Sequence, residues 1–233
     1  MRQIIAMGGG GFSMEPENPL LDRYILAQTA KKQPKVCFLP TASGDAEGYI
    51  DQFYKAFRDL FCKPSHLSLF RPPSSDLEDF VLEKDAIYVG GGNTKNMLVL
   101  WKEWGLDSIL QKAWDSGVVL AGLSAGAICW FEEGVCDALP GEYSRLKALG
   151  FLSGSHGPHY DGEPELRNAY QKLIENGMSN GIAADDGVAL HYIDRELYRG
   201  VSSRPRARAY FLQYREGSVT EKEMVPDYLG ADQ

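Results

Sequence analysis

Three short apolar runs in this chain each end in a cluster of glycines. Ile4 to Met7 runs into Gly8-Gly9-Gly10-Gly11, Ala86 to Val89 into Gly90-Gly91-Gly92, and Val118 to Ala121 into Gly122-Leu123-Ser124-Ala125-Gly126. Apolar runs this short read as buried strands, and glycine at their ends lets the backbone turn sharply or approach a neighbour closely. Segments of helical period lie between them. Leu20 to Ala30 is one. Tyr49 to Phe61 is another, with Ile50, Phe53, Tyr54, Phe57 and Leu60 on one face. A third is capped by Asn93 or Thr94, carries Met97, Leu98, Leu100, Trp101 and Trp104, and closes at Gly105; a fourth runs to about Ser116. Val36 to Leu39, stopped by Pro40, and Leu67 to Phe70 complete the strands. This alternation predicts an α/β fold, a mostly parallel sheet with helices on both faces. Ligands of such sheets bind outside the carboxyl ends of the strands, where all three glycine clusters fall.

The pattern changes after Gly150. One helix is expected from Pro164, which suits a first helical position, to about Asn176. Val188 to Tyr192, Leu197 to Val201 and Ala209 to Tyr214 alternate as strands and read as antiparallel additions at the sheet edge. With 233 residues and no evident linker or repeat, residues 1–233 are read as one domain. The net charge of −8 argues against nucleic acid or an anionic membrane surface as a partner. No signal-peptide pattern opens the chain, and no apolar run approaches the roughly 20 residues of a membrane span. Cys37, Cys62, Cys129 and Cys136 lack zinc-site spacing and read as reduced thiols of a cytoplasmic protein. A homodimer is compatible with this composition, which does not set the oligomeric state.

Gly122-Leu123-Ser124-Ala125-Gly126 carries the chemistry. It follows an apolar strand and precedes a helix expected over Ala125 to Phe131, the context of a nucleophile elbow. The turn exposes the Ser124 oxygen and sets the Ala125 N–H at a helix N-terminus, where an oxyanion is stabilised. Gly90-Gly91-Gly92-Asn93-Thr94 is a second strand-to-helix junction whose N–H groups can approach a ligand. It lacks the Gly-Lys-Ser/Thr of a phosphate-binding loop, and Gly8 to Gly11 lacks the remainder of a dinucleotide fingerprint.

A serine nucleophile needs a base and an orienting acid. His66 reads as a surface residue, His156 and His159 lie in a turn-rich loop, and His191 alternates within a strand. Asp137, Asp161, Asp185 and Asp186 are the candidate acids, and Asp185-Asp186-Gly187 also reads as a simple hairpin turn. One chain order gives Ser124, Asp161 and His191; the other gives Ser124, His159 and Asp186.

Tyr88-Val89-Gly90-Gly91-Gly92-Asn93-Thr94, Gly122-Leu123-Ser124-Ala125-Gly126-Ala127, Pro158-His159-Tyr160 and Gly181 to Gly187 together resemble the peptidase E / cyanophycinase family of serine peptidases. The resemblance covers nearly the whole chain. It implies a fold similar to class I glutamine amidotransferases, Ser124 as nucleophile, His159 as base, and Gly92 and Ala125 as oxyanion donors. It places the acid just before Gly187 and so selects Asp186, where the relatives carry Glu. Peptidase E has Gly-Glu-Thr-Arg after its histidine loop, the Arg holding an N-terminal aspartate. This chain reads Gly162-Glu163-Pro164-Glu165, with Arg167 nearby but offset. Asn93, Glu165 and Arg167 are the corresponding substrate-contact candidates.

The expectation is a dipeptidase-like serine peptidase that acts on short peptides through an acyl-enzyme, without metal or organic cofactor and without selectivity for N-terminal Asp. Two other readings stand beside it: an esterase of α/β-hydrolase type using Ser124, Asp161 and His191, and a non-catalytic relative that binds a small ligand.

Overall fold

The computed structural model describes residues 1–139, 141–162 and 164–231. Its elements run β1 (Gln3–Met7), α1 (Gly11–Met14), α2 (Leu20–Gln28), β2 (Lys35–Leu39), a short 3-10 turn (Thr41–Ser43), α3 (Glu47–Phe57), β3 (Lys63–His66), α4 (Leu77–Leu82), β4 (Ala86–Val89), α5 (Thr94–Glu103), α6 (Leu106–Asp115), β5 (Val119–Leu123) and α7 (Ala125–Ile128). They continue with β6 (Phe131–Leu139), β7 (Glu142–Lys147), β8 (Leu152–Gly157), α8 (Pro164–Glu175), β9 (Gly181–Ala184), β10 (Val188–Ile193), β11 (Glu196–Ser202), β12 (Ala209–Arg215), β13 (Ser218–Met224) and β14 (Asp227–Tyr228).

Eight strands form the main sheet in the order β14-β11-β10-β1-β5-β4-β2-β3. The run from β1 to β3 is parallel throughout. Successive side chains of its strands point to opposite faces, so each strand serves two cores. Ile4, Cys37, Ile87 and Leu120 enter one, with Trp101 of α5 and Leu106, Leu110 and Trp114 of α6. Ile5, Val36, Tyr88 and Ala121 enter the other, with Phe12 of α1, Leu21 and Ile25 of α2, and Phe53 and Phe57 of α3. A strand buried on both faces reads as a continuous apolar run, which is why these strands stood out in the sequence.

Phe12 anchors the turn after β1. Its ring lies 5.4 Å from those of Phe38 and Tyr88 and 5.6 Å from that of Phe53, edge-on to all three. Truncating such a side chain costs about 3–5 kcal/mol, so the glycine turn beside it is held firmly.

The second half departs from expectation. β10 and β11 do extend the main sheet antiparallel beyond β1. β12 does not: it pairs with β9 and β13 in a second sheet of six strands, order β13-β12-β9-β8-β6-β7. This sheet shares the first core through Phe131, Leu152 and Ile182 and packs its other face, including Val135, Ala183 and Leu212, on Leu166, Tyr170 and Ile174 of α8. The helix expected over Ala125 to Phe131 stops at Ile128, because Phe131 already pairs with Leu152 of β8. The strand expected at Leu67 to Phe70 lies earlier, at β3. Leu67 and Leu69 are buried beyond the strand end, which is what gave that segment its apolar signature. Asp185-Asp186-Gly187 is no hairpin turn, since β9 and β10 belong to different sheets.

Candidate active site

β5 delivers Ser124 into a turn with φ 54° and ψ −115°, which L-residues rarely adopt and which costs on the order of 1–3 kcal/mol. Its glycines allow this by close approach. A Cβ on Gly122 would overlap the Gly126 carbonyl, and one on Gly126 would overlap the Val89 carbonyl of β4. The Ser124 N–H donates to the Met7 carbonyl over 3.1 Å, and the Ser124 carbonyl accepts from Ala127 and Ile128 at 2.9 Å. As the first residue of α7, Ala125 has an N–H with no acceptor inside the helix.

The Gly90-Gly91-Gly92 loop passes beside it. Gly90 donates its N–H to Leu39, Gly91 to the Tyr49 hydroxyl at 3.2 Å, and Asn93 to Ala42 at 2.7 Å. Among the described residues this leaves the Gly92 N–H without a protein acceptor. Gly92 has φ +135°, and a Cβ there would overlap the Ala42 carbonyl. Asn93 caps α5, its side chain accepting from the Asn96 N–H at 2.9 Å.

His159 follows β8 at φ 54°, its own N–H donating to Gly8 at 3.2 Å. Its Nδ1 lies 2.6 Å from Asp186 Oδ1. Asp186 sits in the β9–β10 link, and its backbone N–H donates to Asp161 Oδ1 at 2.8 Å. Arg204 stands 4.0 Å from the other carboxylate oxygen and is itself held by Glu15 at 2.7 Å. Burial alone would raise the Asp186 carboxyl. The His159 hydrogen bond and the charges of His159 and Arg204 outweigh it and hold the group below its ordinary value.

The tetraglycine segment is the floor under this pair. A Cβ on Gly8 would overlap the carbonyls of Ala184 and Asp185, and one on Gly9 would overlap Asp186 Oδ1. In sequence it read only as an incomplete dinucleotide fingerprint.

The other candidates lie elsewhere. Asp185 is 4% exposed and accepts the Arg208 N–H at 2.8 Å; burial pushes its carboxyl up to about 6. The Asp161 carboxylate supports Asp186 by accepting its backbone N–H and does not meet His159. His191 is buried between the Tyr24 hydroxyl (2.7 Å) and Gln3 (3.1 Å), so the Ser124, Asp161, His191 grouping is not assembled. His156, expected in a loop, is a buried residue of β8 stacked on Phe131; burial takes its imidazole down to about 4. His66 belongs to β3 and meets the Tyr54 hydroxyl at 2.8 Å.

Ser124 and His159 line two cavities. One of about 320 Å³ extends toward β6 and α8, past Asn93, Ile128, Val135, Asp137, Pro158 and Leu166. The other, of about 470 Å³, extends toward α1 and α3, past Ser13, Tyr49 and Gln52. Neither Glu165 nor Arg167 lines these cavities. Glu165 is an exposed first-turn acid of α8, and Arg167 pairs with Glu221 between the rings of Tyr160 and Tyr210, each 5.0 Å away. Glu163 lies outside the described residues, as does the side chain of Pro164. Among the described residues no three His, Cys, Asp or Glu side chains gather as metal ligands, and no helix is long and apolar enough to cross a membrane.

Sequence reasoning missed Arg204, which stands beside the Asp186 carboxylate, and Glu15, which holds Arg204 from near the other end of the chain; no local motif marks them.

Residues 4–199 match the model of peptidase family S51. The uncharacterized peptidase YgaJ of Bacillus subtilis (strain 168) is 62% identical over 231 residues, covering 99% of this chain and 100% of YgaJ. The uncharacterized peptidase Lmo0363 of Listeria monocytogenes serovar 1/2a (strain ATCC BAA-679 / EGD-e) is 27% identical over 147 residues, 60% of this chain and 71% of that protein. Two crystal structures share the fold. A peptidase from an acI-B1 actinobacterium superposes with a TM-score of 0.70 at 18% identity, covering 97% of this chain and 95% of its own. A putative peptidase E protein from Listeria monocytogenes EGD-e gives 0.56 at 19%, covering 96% and 99%.

Proposed function

Because the chain belongs to peptidase family S51 and is thus a serine-type peptidase, we propose that it hydrolyses short peptides through an acyl-enzyme on Ser124. The observation that carries this reading is the 2.6 Å contact between His159 Nδ1 and Asp186 Oδ1, with His159 and the strained Ser124 turn on the walls of the same cavities. Asp186, ionised, fixes the Nδ1–H tautomer of His159 and leaves Nε2 as the base. His159 takes the Ser124 proton as the hydroxyl oxygen attacks the peptide carbonyl. The N–H groups of Gly92 and Ala125 bind the oxyanion that forms. Collapse of the tetrahedral intermediate breaks the C–N bond, and His159 returns the proton to the leaving amine. Water, deprotonated by the same imidazole, then releases the acyl group.

Glu165 stands at the position aligned with the aspartate-binding Arg of peptidase E, and Arg167 is committed to Glu221. Peptides with an N-terminal Asp are therefore poor substrates in this reading. The four free thiols, three of them buried, suit a reducing cytoplasm.

Hydrolysis of a neutral dipeptide by wild type, Ser124→Ala, His159→Ala and His191→Ala tests the proposal. The first two variants fold and lose about 10⁴-fold or more in kcat, while His191→Ala retains the reaction in whatever fraction folds. Activity of Ser124→Ala within tenfold of wild type overturns it.

A further inference from the structure

The smaller cavity beside Ser124 has the pattern of a basic side-chain site. Its deep walls are apolar: Ile128 from α7, Val135 from β6, Pro158 beside His159 and Leu166 from α8 are all buried. Among the described residues one carboxylate completes the lining, Asp137, and it is exposed. Val135 and Asp137 of β6 both line the cavity, the apolar residue buried and the acid exposed. Among the described residues no Lys or Arg lines this cavity. The arginines of the adjoining elements are committed elsewhere, Arg145 of β7 to Glu133 and Arg167 of α8 to Glu221. Asp137 is left without an ion pair among the described residues.

A long cationic side chain matches this arrangement group by group. Lys and Arg bury an apolar stem and keep the charged head near water. In the cavity the stem lies against Ile128, Val135 and Leu166, and the head reaches the exposed Asp137 carboxylate. An acidic side chain meets the like charge of Asp137, with no Lys or Arg among the described lining residues to offset it.

Building on the peptidase reading, we propose that Asp137 makes the enzyme selective for peptides with Lys or Arg next to the scissile bond. The 320 Å³ cavity is then the specificity pocket.

The test uses two dipeptide series on the intact protein. Lys-Ala is compared with norleucine-Ala and Asp-Ala, and Ala-Lys with Ala-norleucine and Ala-Asp. Norleucine keeps the stem and removes the charge. In one of the two series kcat/KM for the Lys peptide exceeds that for norleucine by about two- to fivefold, fivefold being the upper end of what one partly exposed ion pair supplies, and the Asp peptide is the poorest. In Asp137→Asn the Lys-to-norleucine ratio in that series falls to within about twofold of one. A wild-type ratio below about twofold in both series, or an unchanged ratio in Asp137→Asn, overturns the proposal.

Calorimetric Kd values for the same peptides on Ser124→Ala protein separate this from failure of the catalytic reading. If no peptide is hydrolysed, the peptidase mechanism fails, yet the Lys-to-norleucine Kd ratio and its loss in Ser124→Ala/Asp137→Asn still decide whether the cavity selects a cation.

Discussion

Gly9 lies under the His159–Asp186 pair and offers a way to disturb it without touching either residue. A Cβ at this position would stand 2.9 Å from His159 Nδ1 and 3.0 Å from Asp186 Cγ, and would overlap Oδ1 itself. Ordinary carbon–oxygen approach stops at about 3.3 Å, so in Gly9→Ala the carboxylate retreats by about 1 Å or more. The present separation is 2.6 Å, and such a retreat takes the pair beyond hydrogen-bond range. Misplacing a catalytic group by about 1 Å costs on the order of 10²-fold in rate. Overpacking costs about 1–3 kcal/mol of stability, which a folded enzyme of this size tolerates. The assay is kcat and KM for a neutral dipeptide with urea unfolding alongside. The expected result is a kcat lower by about 10²-fold, with KM changed by less than about threefold. Gly48→Ala is the control. Gly48 lies in α3, and a Cβ there meets nothing within 4 Å. A folded Gly9→Ala enzyme with kcat within about threefold of wild type would refute the reasoning, because the pair would then be dispensable or displaced without consequence.

Two further predictions concern carboxyl groups. Asp186→Asn lowers kcat by about 10⁴-fold through the wrong imidazole tautomer, whereas Asp185→Asn and Asp161→Asn are milder; an Asp161→Asn loss exceeding that of Asp186→Asn contradicts the assignment. Burial raises the Asp22 carboxyl to about 7 from 3.8, while its oxygen accepts from the Tyr88 hydroxyl at 3.1 Å. Its contribution to stability is therefore full below 3.8 and is lost as pH rises through about 7. Asp22→Asn keeps an acceptor for Tyr88 and removes that loss, so the variant's stability relative to wild type rises between about pH 5 and about pH 8 in urea unfolding; a flat or falling difference contradicts it.

The parallel half of the fold was legible because β1, β2, β4 and β5 are buried on both faces, with β1, β2 and β4 running into glycine or proline and β5 carrying Gly122 near its end. The six-stranded sheet was not. β6 and β7 mix charged and apolar residues, as in Phe131-Glu132-Glu133-Gly134-Val135, where Glu132 is exposed and Glu133 is buried in a pair with Arg145 of β7. The Ser124 turn announced itself through its flanking glycines, whose role is the approach of α7 to β4 and β5. Asp186 was harder to find. Asp-Gly is an ordinary turn signal, and the residues that distinguish Asp186 from Asp185 are Arg204, Asp161 and Gly9, each distant in sequence. His156 and His159 sit three positions apart in one segment, but the end of β8 at Gly157 separates a core histidine from a site histidine. Nothing local marks that boundary.

The central claim is that Ser124 is a nucleophile activated by His159. The most direct measurement is labelling by a fluorophosphonate, followed by peptide mapping of the adduct. A single adduct on Ser124 in wild type, absent from Ser124→Ala and strongly slowed in folded His159→Ala, is the result predicted. Folded wild-type protein that takes no label, or takes it on another residue, would contradict the account.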